Sequence, residues 1–261
     1  MLAAGSLDYL PLWGVFGVTV LIVLIAIEGG YQAGKARRLR SPDEKEAPVG
    51  AIVAAALGLL GLILAFTFSL AASRFDARRQ MVVEEANAIG TTYLRAGLLP
   101  DGRSVTIRKL LAEYVDARLE VVQTGAVELV LRRSDELHRQ LWKEAEAVGL
   151  ENPNSIVVGL FIQALNETID IHSKRVLVGL RSRLPNVLWG ALYLVTAVTM
   201  MGMGYLEGLS KSRRSFAIVV LVLAFSVIIA LIADLDRPQD GLLTVSQQAM
   251  TDLRSMMKGP P

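Results

Sequence analysis

The two imidazoles and the lack of any thiol in this 261-residue chain speak against an imidazole-rich metal centre and exclude a cysteine nucleophile. His172 falls on the apolar stripe of a helical segment, where it could ligate an ion or change charge near neutral pH; a hydrogen-bonded core histidine accounts for the same position. His138 reads as standing alone on a charged face. Carboxylates gather in two further places. Asp234 and Asp236, beside Arg237 and Pro238, could coordinate a hard cation such as calcium through oxygen, although ion pairing with Arg237 and a helix exit at Pro238 explain the same residues. Glu84, Glu85, Asn87 and Thr91, with Thr92, crowd two turns of one helix and could line an ion path. A solvated face packed partly by Arg74, Arg78 and Arg79 is the alternative. Leu62, Phe66 and Leu70, spaced by four, could ring a symmetry axis as an apolar constriction that gates by dewetting, or could contact core or lipid.

Enzymatic constellations do not occur. There is no Gly-x-Ser-x-Gly elbow, no Walker loop, no His-Glu-x-x-His and no glycine-rich dinucleotide turn. Zero cysteines exclude a disulfide framework, a zinc ribbon and a cysteine nucleophile. The sequence therefore points away from an enzyme. A net charge of +2 gives nucleic acid no electrostatic footprint to bind. With 52% hydrophobic residues and a mean hydropathy of +0.44, the chain is too apolar for an ordinary soluble domain of this length.

Positioning these residues falls to four apolar runs, each near the roughly 20 residues needed to cross a bilayer core: Leu10 to Ile27, Gly50 to Ala72, Val187 to Leu206 and Phe216 to Ala233. No charge sits mid-run; Glu28 and Asp234 lie at run ends. The first run has no basic stretch before it and is too long for a signal-peptide core, so it reads as a retained span. Trp13, Trp189, Tyr193 and Tyr205 lie toward run ends, a placement that suits the headgroup layer. Gly50, Ala54 and Gly58 give the second span a small-residue edge that lets another helix approach closely. Two basic loops, Tyr31 to Pro48 and Glu207 to Ser215, join the spans in hairpins.

Residues 74–186 carry 16 basic and 15 acidic side chains and form the one segment large enough for an aqueous domain. Phe75, Val82, Ala86, Ile89 and Tyr93 recur at helical spacing with no proline before Pro100, so the second span is expected to continue into water as one long helix. Leu111, Val115, Leu119, Val122, Leu129, Leu137 and Leu141 suggest a single helix from Ser104 to about Gly149, kinked at Gly125. Asn152 to Ser155 break it and cap the next, whose stripe is Val158, Ile162, Leu165, Ile169, His172, Val176 and Leu180. The sequence thus reads as an all-α, multi-pass membrane protein: spans 1 and 2 in residues 1–73, a helical extramembrane domain at 74–186, spans 3 and 4 at 187–233, and a tail at 234–261.

Two stretches together carry a family resemblance. Arg74-Phe75-Asp76-Ala77-Arg78-Arg79, then Glu84-Glu85-Ala86-Asn87-Ala88-Ile89-Gly90-Thr91-Thr92 and Leu98-Leu99-Pro100, resemble the signature of the bacterial bestrophin-like domain family; Asp236-Arg237-Pro238 with Gly241 resembles its later hallmark. The likeness covers roughly residues 10–250. More distantly, the layout is similar to bestrophins, which are pentameric anion channels whose second span supplies a hydrophobic neck. That resemblance implies an oligomeric, pentameric channel for small anions in a bacterial inner membrane, with Leu62 and Phe66 at neck positions and the post-span acids at a cation-sensing position. Asp234, Asp236 and Asp240 are a sparser acidic set than a bestrophin calcium site, and Gln239 stands where an aromatic is usual, so no cofactor is expected apart from calcium at these acids. The reading from a different class is a non-conducting scaffold or sensor whose helical domain binds a partner protein. Basic residues near the span ends number 8 on either side, so charge alone sets no orientation. Their density after the first span favours hairpins inside, whereas the resemblance puts the domain in the cytoplasm.

Overall fold

Among the described residues eight α-helices follow in order: α1 Leu12–Arg40, α2 Glu46–Ala96, α3 Asp101–Thr124, α4 Val127–Glu151, α5 Ile156–Val176, α6 Asn186–Leu209, α7 Phe216–Asp236 and α8 Gln248–Met257. The computed structural model describes residues 9–40, 46–124, 127–210, 216–237 and 241–259, and no strand occurs among them. Four of these helices, α1, α2, α6 and α7, are long and apolar enough to cross a membrane. The α2 helix runs unbroken for 51 residues, as its stripe predicts, and Pro48 is tolerated because it lies in the first turn.

Three features differ from the sequence reading. The α1 helix does not stop at Ile27 but continues through Arg40. Its continuation holds good helix formers and no proline, and Arg37, Arg38 and Arg40 in its last turn complement the helix dipole. The helix expected from Ser104 to Gly149 is two helices, α3 and α4, which pack on each other. Folding back lets the apolar stripes of both halves bury against one another, which one extended rod in water does not allow; the expected kink, Gly125, lies outside the described residues. The tail holds a helix, α8.

The chain divides into two compact units, residues 1–75 with 182–244 and residues 76–181 with 245–261. In the first, α1 lies along α6 through a glycine seam. A Cβ on Gly30 or Gly34 would overlap the carbonyl oxygens of Met201 or Tyr205, and one on Gly204 or Gly208 those of Ile27 or Tyr31. Helices that touch backbone to backbone gain dispersion contacts, which matter more in lipid because the surroundings are as apolar as the side chains. The edge expected to do this, Gly50, Ala54 and Gly58, makes no such seam among the described residues: a Cβ on Gly50 would only reach the Leu206 side chain at 3.9 Å, and one on Gly58 would find no atom within 4 Å. Thr19 reinforces the seam, its hydroxyl lying 2.8 Å from the Val15 carbonyl and 3.0 Å from the Tyr193 hydroxyl. Trp13 is exposed as the headgroup placement requires, whereas Trp189 is buried beside Tyr193.

The second unit is a water-type bundle. Val82, Ile89, Leu111, Leu137, Leu141, Val148, Phe161 and Leu165 form its core, each such side chain contributing about 1.5–3 kcal/mol on burial. Half-buried Arg103 to Glu144 at 2.9 Å and the more exposed Arg133 to Glu113 at 2.8 Å match the antiparallel register of α3 and α4; open to water as they are, they set register more than stability. Ser155 caps α5, its hydroxyl accepting the Val158 N–H. That helix passes into a π-helical turn, Leu177–Arg181. The α8 helix buries Met250 and Leu253 and clasps α3 through Arg254 and Asp116.

Candidate functional site

The expected site residues fall into three groups. Leu62, Phe66 and Leu70 share one face of the membrane part of α2 and are 53%, 68% and 40% exposed. Only 17% of the apolar window of α2 is buried, the lowest share of the four spans. This chain alone therefore leaves the face uncovered.

In the aqueous unit, helical spacing splits the acidic block in two. Asn87 and Thr91 are exposed and Glu84 is half-buried, at positions i, i+3 and i+7 of one face. Glu85 and Thr92 point the other way and are fully buried. Thr92 meets the Thr168 hydroxyl at 2.9 Å. Glu85 lies at the centre of a charged knot rather than on a solvated face. Tyr114 donates to its Oε1 at 2.5 Å, Arg118 Nε stands 3.3 Å away, and Arg175 donates to Oε2. The remaining face of Tyr114 meets His172 Nδ1 at 2.8 Å, and Arg175 reaches Gln247 at 2.9 Å.

Burial pushes the Glu85 carboxyl up, but the Arg118 charge, the His172 bond, the Arg175 charge and the Tyr114 hydroxyl outweigh it and hold the group well below the usual carboxylate range. Burial and the Glu85 charge push the Tyr114 phenol up, so it stays protonated as a donor. His172 is the hydrogen-bonded core histidine that its stripe allows. His138 does not stand alone on a charged face. It is buried, with its ring centroid 4.6 Å from Tyr114 and 4.8 Å from His172, and burial pushes it down to about 4. Tyr114, Arg118 and Arg175 were not legible as site residues. The available signal was Glu85 itself, set between Val82 and Ile89 on an apolar stripe where an acid demands buried cations.

Asp234 and Asp236 are buried at the end of α7. Asp234 accepts the Leu242 and Leu243 N–H groups at 2.7 and 3.2 Å, and Asp236 accepts the Leu184 N–H at 2.8 Å. A Cβ on Gly241 would overlap the Asp234 carboxylate, so glycine there lets the chain close onto it. Arg237 donates to the Leu10 carbonyl. Carboxylates used this way clasp the ends of spans together. Pro238, Gln239 and Asp240 lie outside the described residues.

The sequence matches the bestrophin-like domain over residues 20–250. The chain belongs to the bestrophin-like family. Two crystal structures share the fold of this bestrophin-like protein. One, a point variant of a membrane protein, is 17% identical with a TM-score of 0.63 and covers 95% of this chain and 99% of its own. The other, a point variant of a bacterial bestrophin homologue from Klebsiella pneumoniae, is 16% identical with a TM-score of 0.61 and covers 94% and 98%. No curated protein matches the sequence. An all-helical bestrophin-like membrane protein is thus the shared frame, and the sequence block Glu84 to Thr92 that carried the resemblance is the one that contains Glu85.

Proposed function

We propose that this bestrophin-like protein assembles as a homo-oligomer, a pentamer by its kinship, around an axis faced by α2, and passes small anions across a bacterial inner membrane. The observation that carries the reading is the uncovered stripe Leu62, Phe66 and Leu70 on the least covered span. Lipid could cover such a face, but a ring of Phe66 side chains around an axis makes a constriction that closes by dewetting. The open edge at Ala54 and Gly58, both exposed, leaves room for a helix of a neighbouring copy. On the same helix, Glu84, Asn87 and Thr91 offer polar groups on the outer face, whereas Glu85 serves the interior of its own unit.

Purified protein in liposomes with a chloride-flux readout tests this. Flux that Phe66→Ala alters supports it. Oligomers that carry no flux in any lipid tried, with or without calcium, overturn it in favour of a non-conducting scaffold or sensor.

A further inference from the structure

Beside the Glu85 knot lies a second arrangement that conduction does not use. Asp135 and His138 are one turn apart on α4, and His172 faces them from α5. One ring nitrogen of each imidazole and a carboxylate oxygen of Asp135 lie within 4.8 Å of one another. Nε2 of His138 is buried and reaches no hydrogen-bond partner among the described residues. A buried unpaired ring nitrogen costs about 1–3 kcal/mol, and the two rings stand edge to face at 83°, so packing alone leaves that cost unmet.

The tautomer of His172 follows from proton counting. Glu85 is ionised and can only accept, so the single phenolic proton of Tyr114 goes to its Oε1. The Tyr114 oxygen must then accept from His172 Nδ1–H, which leaves the imidazole lone pair on Nε2. Metal-ligating histidines are oriented in this way, by donating the other ring N–H to an oxygen that is itself held. The charged groups that face the pair are Glu85, Arg118 and Arg175. Asp135 is exposed, which provides a way in.

We propose that Asp135, His138 and His172 form a site for one zinc-class divalent cation, with Tyr114 and Glu85 as positioning residues for His172. Two imidazoles and one carboxylate suit a borderline-soft ion and not calcium, which takes oxygen ligands. Ligand atoms at zinc-bond lengths stand about 3.3 Å apart in a tetrahedron, so small rotations close the site, and the exposed Asp135 is best placed to make them. A fourth position is left for water. The ion would staple α4 to α5 within the aqueous unit.

Zinc titration of the chelator-stripped, full-length protein in detergent, by equilibrium dialysis with metal analysis, tests the assignment without any transport assay. The wild type binds one zinc per chain, and calcium in excess does not displace it. Binding weakens by about 100-fold or more in His138→Gln, and by about 10–100-fold in Asp135→Asn and in the positioning variant Tyr114→Phe, while Asp170→Asn on the exposed side of α5 leaves it unchanged. Cobalt in place of zinc gives a visible spectrum of mixed nitrogen and oxygen ligation. No stoichiometric zinc in the wild type, displacement by calcium, or unchanged affinity in a folded His138→Gln or Asp135→Asn protein overturns the proposal. Because Asp135 is exposed, Asp135→Asn keeps the test decisive if the buried variants do not fold.

Discussion

In the unit built from α1, α6, α7 and the first part of α2, the closest contacts set backbone against backbone at four glycines; in the unit built from the rest of α2 with α3, α4, α5 and α8, the deepest contacts gather two guanidiniums, a phenol and an imidazole around the Glu85 carboxylate of α2. The contrast follows from the solvent on the outside. Lipid gives two helices little reason to hide apolar side chains from it, so close approach and dispersion must hold them. Water expels apolar side chains strongly enough to carry the desolvation of Glu85, provided every charge in the knot is answered.

Breaking the knot has the largest expected effect. Glu85→Ala leaves Arg118 and Arg175 buried without their counter-ion, a loss of about 3–5 kcal/mol, read as a lowered melting temperature or loss of folded full-length protein in detergent. Acid attacks the same place. The folded His138 is pushed down to about 4 from an ordinary value of 6.5, so between those values the unfolded chain binds a proton that the folded one does not. In metal-free protein, stability is therefore complete above about pH 6.5 and falls by about 3 kcal/mol as the pH drops toward 4. Below the ordinary carboxylate range, protonation of Glu85 removes more in the same direction. His138→Gln flattens the first of these limbs in a pH series of denaturant melts.

The seam responds to volume instead. Gly204→Ala and Gly30→Ala press a methyl group into a neighbouring backbone and cost about 1–3 kcal/mol, whereas Gly17→Ala, on an exposed part of α1 where a Cβ meets no atom within 4 Å, is neutral or slightly stabilising through helix propensity. Equal effects at Gly30 and Gly17 would erase the contrast between a seam and an open helix face. Thr19→Val, which removes the hydroxyl shared with Val15 and Tyr193, costs less than the seam glycines, about 0.6 kcal/mol, measurable by unfolding in mixed micelles.

Periodicity reached far into this fold. The four spans, the long α2 and the cap at Ser155 are all written in local spacing, because length, stripe and capping chemistry are local properties. The seam was missed for a specific reason. Gly30 and Gly34, like Gly204 and Gly208, are spaced by four, but apolar runs ending at Ile27 and Leu206 leave three of the four outside their spans, and helices outlast the apolar run. Splitting 101–151 into α3 and α4 needed knowledge of which stripes face each other, which no single segment contains. The charged knot was half legible. An acid between Val82 and Ile89 announces buried partners, yet Arg118 and Arg175 lie 33 and 90 positions on, and only the folded bundle brings them together.

The central claim is that the bare stripe of α2 faces an axis between copies and not lipid. The absence of native cysteine permits a clean measurement: Phe66→Cys, set beside Leu223→Cys on the exposed face of α7, in chloride-loaded liposomes treated with a charged thiol reagent. The account predicts that the reagent changes chloride flux at Phe66→Cys and leaves it untouched at Leu223→Cys. Flux that ignores the reagent at both positions would place Phe66 in lipid and contradict it.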